Sequence, residues 1–393
     1  MPHSQKVFLK YFILLTVTVD LFACASTDRV QHTNEAGTSR VTYGIYEGTY
    51  SQYLKSEPGT YYFSLIGPLR VGGAPDQALT LFQLRSDGTV LHSKTYEHMF
   101  RKMILGDIKV IKKGVLGYLL AANSPYWRAN FRFLDQDFND IFYKPVPNYD
   151  VNLDSQEFQK GPNGNLFFLF NRDRLRDAIV DQEIVEWDKD GNPVFSWSTR
   201  SLAEPDDQKP EFDRFHLNAF SWTPDGNLLI GLSETSEILK IGYPSGNVLW
   251  RMSFRDWKFK NDPANGFRKQ HSVTMLANGN LLIFDNGGML NKNFTSRAVE
   301  YSIDVPKKEA TLVWEYRSEQ SFANRADGGY AQRLKNGNTL ITWGIFQDPE
   351  SDLHNRSLPV FTEVNPAGQK VREFRTDHFR GAWRVYFDED MEK

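Results

Sequence analysis

The sequence predicts an all-β fold, a six-bladed β-propeller of four-stranded blades whose ring is closed by the C-terminal strand. Three observations lead there. A turn feeding an apolar strand recurs as "GPNGNLFFLF", "TPDGNLLIGL", "LANGNLLIFD" and "LKNGNTLITW", with turn glycines Gly164, Gly226, Gly279 and Gly337 spaced 62, 53 and 58 residues apart. A second turn, feeding an aromatic strand, alternates with it as "RSDGTVLHSK", "DKDGNPVFSW", "YPSGNVLWRM" and "NPAGQKVREF". Aromatic residues make up 14% of the 393 residues, which favours strands, and no helical stripe interrupts the repeat.

In chain order, the first element is a leader. Lys6 and Lys10 precede the apolar run from Tyr11 to Val19, and "LFAC" ends at Cys24. Residues 1–24 resemble a bacterial secretory signal ending in a lipobox, which implies acylation of Cys24 and a protein tethered to the cell envelope. Asp20 and Phe22 depart from that pattern, so an ordinary cleaved signal with an incidental cysteine stands beside it. Residues 25–40 lack apolar periodicity and read as a flexible tether, leaving 41–393 as one propeller domain. Beyond the first 25 residues no apolar run approaches the 18 residues of a membrane-spanning helix. Cys24 is the single cysteine, so the folded domain holds no disulfide. A net charge of −3 gives no footprint for nucleic acid.

Each repeat holds two hairpins, because Asn-Gly and Asp-Gly tolerate the positive φ angles of tight turns. Gly114 in "IKKGVLGYLL" marks a weaker copy of the first turn. The second turn falls at Gly88, Gly191, Gly246 and Gly368, and the segments around Asn139 and Thr311 fill its two gaps, giving six copies. A four-stranded sheet of this size cannot bury both faces alone, whereas six packed radially can. The first repeat is one strand short, and "RGAWRVYF" (Arg380 to Phe387) remains after the sixth. The simplest closure places that strand innermost in blade one, leaving no open edge there. Trp197, Trp250 and Trp314 recur at equivalent outer positions and read as interblade packing.

Innermost strands line a propeller's channel, and their starts crowd one mouth. Eight to ten residues before the turn glycines stand His216 and Asn218 in blade four and His271 in blade five. Blade three offers Asp154 and Gln156 there, and blade six offers only Gly329. Two histidines at matched points of adjacent blades are the strongest chemical signal in the chain.

The stretches "FHLNAFSWTPDGNLLIGL", "QHSVTMLANGNLLIFDNGG", "SRAVEYSID" and "AQRLKNGNTLITWG" resemble the bacterial arylsulfotransferase family, the likeness running from about Phe215 to Phe387. The resemblance implies a six-bladed propeller that moves a sulfuryl group from a phenolic sulfate ester to another phenol through a transiently sulfated histidine, with no nucleotide donor and no cofactor. Its partners would be a small phenolic donor and acceptor, with a membrane contact through the lipid anchor. Carried over by motif, His216, His271 and Arg297 are the catalytic candidates, and Asn218, Asp285 and Asn286 the substrate contacts. The covalent histidine has no assigned position; His354 and His378 are the later candidates.

Blander readings stand beside these. Arg297 could pair with Glu300 or Asp304, and Asp285 and Asn286 could cap turns. His216, His271 and a carboxylate could hold a metal, but the sequence specifies no metal site. No "GxSxG", "HExxH", cysteine pair or phosphate-binding loop appears. Two further functions keep the fold: a surface-anchored scaffold recognising an anionic or phenolic ligand or a protein partner, and a hydrolase or lyase acting on a sulfated or uronic glycan.

Overall fold

A computed structural model describes residues 30–33, 38–43, 46–52, 58–71, 74–100, 106–121, 129–143, 151–173, 180–202, 214–287, 295–317, 326–346, 358–376 and 381–389. Six four-stranded antiparallel sheets stand as the blades of a propeller, with almost no helix. Blades two to four are simple up-and-down sheets. Blade two runs from Gly106–Lys112 through Val115–Ala121 and Ala129–Leu134 to Asp140–Tyr143. Blade three starts on Val151–Lys160 and ends on Pro193–Ser198, and blade four starts on Leu217–Trp222 and ends on Val248–Ser253.

The remaining blades carry additions. Blade five (Ser272–Met275, Leu281–Asp285, Arg297–Asp304, Glu309–Arg317) gains the parallel strand Lys258–Lys260 on its outer edge. Blade six (Tyr330–Arg333, Thr339–Thr342, Leu358–Val364, Lys370–Thr376) gains Tyr46–Gln52, Thr38–Tyr43 and Val30–Thr33 outside it. Val30–Thr33 and the start of Thr38–Tyr43 fall within residues 25–40, read from the sequence as a tether. "TSRVTY" and "YEGTYSQ" are rich in β-branched and aromatic residues, and Tyr46–Gln52 covers what would otherwise be blade six's open edge. Residues 1–29, with Cys24, lie outside the described residues.

Ring closure follows the expected route. Gly381–Asp388 pairs antiparallel with Thr60–Val71, Tyr386 facing Tyr62, and becomes the inner strand of blade one ahead of Ala74–Arg85 and Val90–Phe100. The last strand of the chain therefore lines the axis, which matters for the site. All nine expected turn glycines, Gly114 included, adopt positive φ, from 75° to 91°.

Blades meet through apolar faces. Trp197 shares a buried cluster with Leu217 and Ile230 of the next blade, Trp250 packs on the cluster that holds Val273 and Ile283, and Trp314 on the one that holds Ala331 and Ile341. A polar latch repeats above this packing. In blades three, five and six the asparagine after the turn glycine donates to a third-strand glutamate: Asn165 to Glu186 (2.7 Å), Asn280 to Glu300 (2.6 Å), Asn338 to Glu363 (2.8 Å). The other carboxylate oxygen accepts from the next blade, from Tyr243 (2.8 Å), Arg333 (2.7 Å) and Tyr61 (2.9 Å) respectively. Each buried carboxylate is thus satisfied on both oxygens, and the turn motif joins neighbouring blades as well as reversing the chain.

Candidate active site at one mouth of the channel

His216 and His271 sit immediately before the inner strands of blades four and five, and their rings converge with centroids 6.5 Å apart. His216 takes a left-handed conformation (φ 47°), and its carbonyl accepts from Ser233 (2.9 Å). Its Nε2 lies 3.0 Å from the side-chain amide nitrogen of Gln156 in blade three. The His271 backbone N–H donates to the Phe284 carbonyl (3.1 Å), starting the strand.

The His271 ring is held from one side. Its Nδ1 lies 2.6 Å from the Asn286 amide nitrogen and 3.2 Å from the Lys269 carbonyl. Nε2 has no hydrogen-bond partner among the described residues. Trp383 packs edge-on against the imidazole, the rings 5.7 Å apart at 89°. Burial, with the His216 charge next in size, pushes the His271 imidazole down to about 3. It is therefore neutral across physiological pH, which is the form that can attack or accept.

Below the histidines the axis is filled by charge. Arg384, on the closing strand, ion-pairs with Glu157 of blade three and donates to the carbonyls of Asn218 (2.9 Å) and His271 (3.3 Å). Tyr330 of blade six faces its guanidinium at 5.6 Å. Lys109 of blade two pairs with Asp107 (2.9 Å) and with Glu157, and donates to the Phe158 carbonyl (2.7 Å). All six blades thus meet around two cations and two carboxylates. Buried charges survive only in such company. Burial pushes the Lys109 ammonium down to about 8, with Asp107 opposing.

Arg297, expected among the catalytic groups, is held elsewhere. It is fully buried, and its guanidinium donates to Asp285 (2.9 Å), Asp262 (2.9 and 3.1 Å), Glu315 (2.7 Å), the Gly266 carbonyl (2.9 Å) and the Tyr301 hydroxyl (3.0 Å). With each of its three nitrogens engaged, it offers nothing to a ligand. Asp285 is committed likewise, accepting from the Arg268 and Gly287 backbone (2.8 and 2.9 Å) besides Arg297. Asn218 is fully buried and donates to the Gln270 carbonyl (2.9 Å). These three brace the loop and strands that carry His271. Asn286 orients His271 and also reaches the Gly328 carbonyl (3.3 Å).

In blade six, a Cβ on Gly329 would lie 2.1 Å from the Phe284 ring, so the position packs against blade five and has no room for a side chain. His354 and His378 fall outside the described residues. Sequence reasoning missed Trp383 and Arg384 although it placed their strand at the axis. An arginine and a tryptophan on an innermost strand were themselves the signal.

Residues 148–384 match the family described as Arylsulfotransferase (ASST), a span that reaches further toward the N-terminus than the motifs alone. No curated protein matches the chain. Among solved structures, a protein of unknown function from Bacteroides caccae is 14% identical with a TM-score of 0.53, the alignment covering 84% of this chain and 98% of that one. A catalytically inactive variant of virginiamycin B lyase from Staphylococcus aureus, with quinupristin, is 11% identical with a TM-score of 0.41 over 83% and 98%. A functionally unknown protein from Desulfotomaculum acetoxidans is 12% identical with a TM-score of 0.44 over 92% and 99%. The first of these likenesses concerns the fold alone, and the other two are too weak to bear on this chain.

Proposed function

The chain belongs to the arylsulfotransferase family, and from that premise we propose that it moves a sulfuryl group from a phenolic sulfate ester to a phenol, with His271 as the nucleophile. The observation that carries this is an open, neutral Nε2 on His271 with a second imidazole beside it. In the first half-reaction, with His271 Nδ1–H donating to the Lys269 carbonyl and His216 protonated, the free lone pair of Nε2 attacks sulfur, the N–S bond forms and the S–O ester bond breaks. The electron pair leaves with the phenolate oxygen, which His216 protonates. In the second, His216 takes the proton of the acceptor phenol, whose oxygen attacks sulfur as the N–S bond breaks. A neutral imidazole is a competent nucleophile at neutral pH, and a neighbouring one can carry the proton. Lys269, whose charge His271 feels and whose ammonium pairs with Glu234, would have to give up that partner to face the sulfate oxygens in place of Arg297.

Blade six presents glycines at the mouth, which favours a second reading, a non-catalytic propeller that recognises an anionic or phenolic ligand or a protein partner. Incubation with 4-nitrophenyl sulfate separates the two. Nitrophenolate release that requires a phenol acceptor supports transfer, and release without an acceptor is hydrolysis. No release with several acceptors, alongside saturable binding of the ester, leaves the recognition reading. The leader supports a further part of the proposal, export across the inner membrane to the periplasm or cell surface and lipid attachment at Cys24. The mass of the mature N-terminus checks it.

A further inference from the structure

A cavity of about 540 Å³ opens between blades two and three, beside the turns at Lys112, Gly164 and Asp188. Those turns lie at the far ends of the inner strands from His216 and His271, so the cavity stands on the face away from the histidine mouth. Its size suits an organic molecule of moderate weight, since such sites commonly span roughly 300 to 1,000 Å³.

The walls are aromatic. Phe131 meets Phe168 edge-on (4.8 Å, 74°), Phe168 meets Trp187 (6.0 Å, 71°), and Phe170 stacks on Trp187 (5.9 Å, 20°). Trp187 is 9% exposed, and its indole N–H has no hydrogen-bond partner, so the wall keeps one donor unspent. Ile141 at the rim is half exposed.

The charge at the opening has a sign. Lys160 stretches from blade three to the Ile111 carbonyl of blade two (2.9 Å), which uses one of its three N–H bonds and holds the ammonium across the cleft. Lys112 beside it makes no ion pair among the described residues, and Lys189 adds a third cation paired with its neighbour Asp190. The carboxylate at the rim, Asp188, is occupied by the backbone and side chain of Asn192 and the backbone of Asp190. Aromatic walls below a cationic rim complement an aromatic ring that bears an anionic group.

We propose that this cleft is a binding site for an aromatic organic anion, separate from the histidine mouth and independent of the reaction proposed there. The ring lies among Phe131, Phe168, Phe170 and Trp187, and the acidic group meets Lys112 and Lys160.

The test uses 8-anilinonaphthalene-1-sulfonate, an aromatic sulfonate that fluoresces in apolar surroundings, with neutral N-phenyl-1-naphthylamine as its uncharged counterpart. The protein should show saturable, one-site binding of the sulfonate. Lys112→Glu with Lys160→Glu, both at exposed positions, should weaken the sulfonate about tenfold while the neutral probe changes less than about twofold. Val115→Trp, which fills the cavity, should abolish both. His271→Asn should change neither. Unsaturable binding, equal loss of both probes on charge reversal, or sulfonate binding that follows His271 and ignores the lysines would overturn the proposal.

Discussion

Two buried arginines, Arg297 in blade five and Arg384 on the axis, show how differently the same side chain can be used. Arg297 gives hydrogen bonds from all three guanidinium nitrogens to three carboxylates, a hydroxyl and a carbonyl, and Asp262 and Asp285 are satisfied in return. Arg384 has one carboxylate and two strand carbonyls, and its Nε is unpartnered. The first closes a cage and has nothing left to give. The second ties together the strands bearing both histidines, and His271 beside it leaves Nε2 without a partner among the described residues. Complete satisfaction marks architecture, and a group left open inside an otherwise bonded frame marks chemistry.

The largest expected effect sharpens this contrast at the mouth. His271→Asn keeps a hydrogen-bonding atom near Nδ1 and removes Nε2. Sulfuryl transfer should fall about 10⁴-fold or more, as when an essential nucleophile is lost, with thermal unfolding close to that of the parent protein. A variant that keeps its rate would move the nucleophile elsewhere and break the contrast. In the cage the expected effect is on stability. Arg297→Met strands Asp262 and Asp285 without their cation and should cost about 3 to 5 kcal/mol in denaturant unfolding. The rate per folded molecule should change far less. A rate loss without a stability loss would return Arg297 to the catalytic set.

The pH dependence of stability separates the same two regions. His271 titrates near 3 when folded and near 6.5 when unfolded, so between those values the unfolded chain binds the extra proton. Stability therefore falls as pH drops through that window, by about 1.4 kcal/mol per pH unit from this group. Asp262, which its Arg297 and Tyr301 hydrogen bonds hold down to about 2 against burial, ionises with lasting benefit above its unfolded value of about 3.9. Its contribution disappears only as pH falls from there toward 2. Denaturant midpoints measured from pH 7 to 4 should slope, and His271→Asn should remove about one proton's worth of that slope. An unchanged slope would mean that the histidine is not buried neutral.

Most of the fold was legible because turn chemistry is local. Gly164, Gly226, Gly279 and Gly337 need their positive φ whatever surrounds them, and counting them counted the blades. His216 and His271 were legible for a related reason, since strand order in a propeller converts spacing into position at the mouth. Partners across blades were not. Nothing in "FDNGG" and "SRAVEY" says that Asp285, Arg297 and Tyr301 close on Asp262, 23 residues before Asp285, because that contact depends on the loop preceding His271. The asparagine after each turn glycine read as part of a turn, and its bond to Glu186, Glu300 or Glu363 requires the neighbouring strand. Val30–Thr33 and Thr38–Tyr43 were missed because short polar strands have too little alternation to register. Arg384 stood on a strand already placed at the axis, but its partners Glu157, Asn218 and His271 lie on three other blades.

The smallest expected effect is also the one with opposite signs in the two regions. In the cage, Tyr301→Phe deletes a hydroxyl that bonds Asp262 and Arg297, and hydrogen bonds to charged groups are worth about 1.5 to 3 kcal/mol. Stability should drop by that amount while transfer proceeds at its usual rate. At the mouth, Gln156→Leu deletes the amide beside His216 Nε2, and with it a buried Oε1 that has no partner. Losing an unsatisfied buried oxygen offsets the lost contact, so stability should hold or rise slightly. The rate should still fall about fivefold, because His216 loses the amide that helps aim it, a loss of about 1 kcal/mol at the transition state. Measured side by side, a stability loss without a rate loss at Tyr301, and the reverse at Gln156, would place the division between frame and pocket at the level of single hydrogen bonds. Equal effects of both kinds at both positions would show that blade five and the mouth work as one unit.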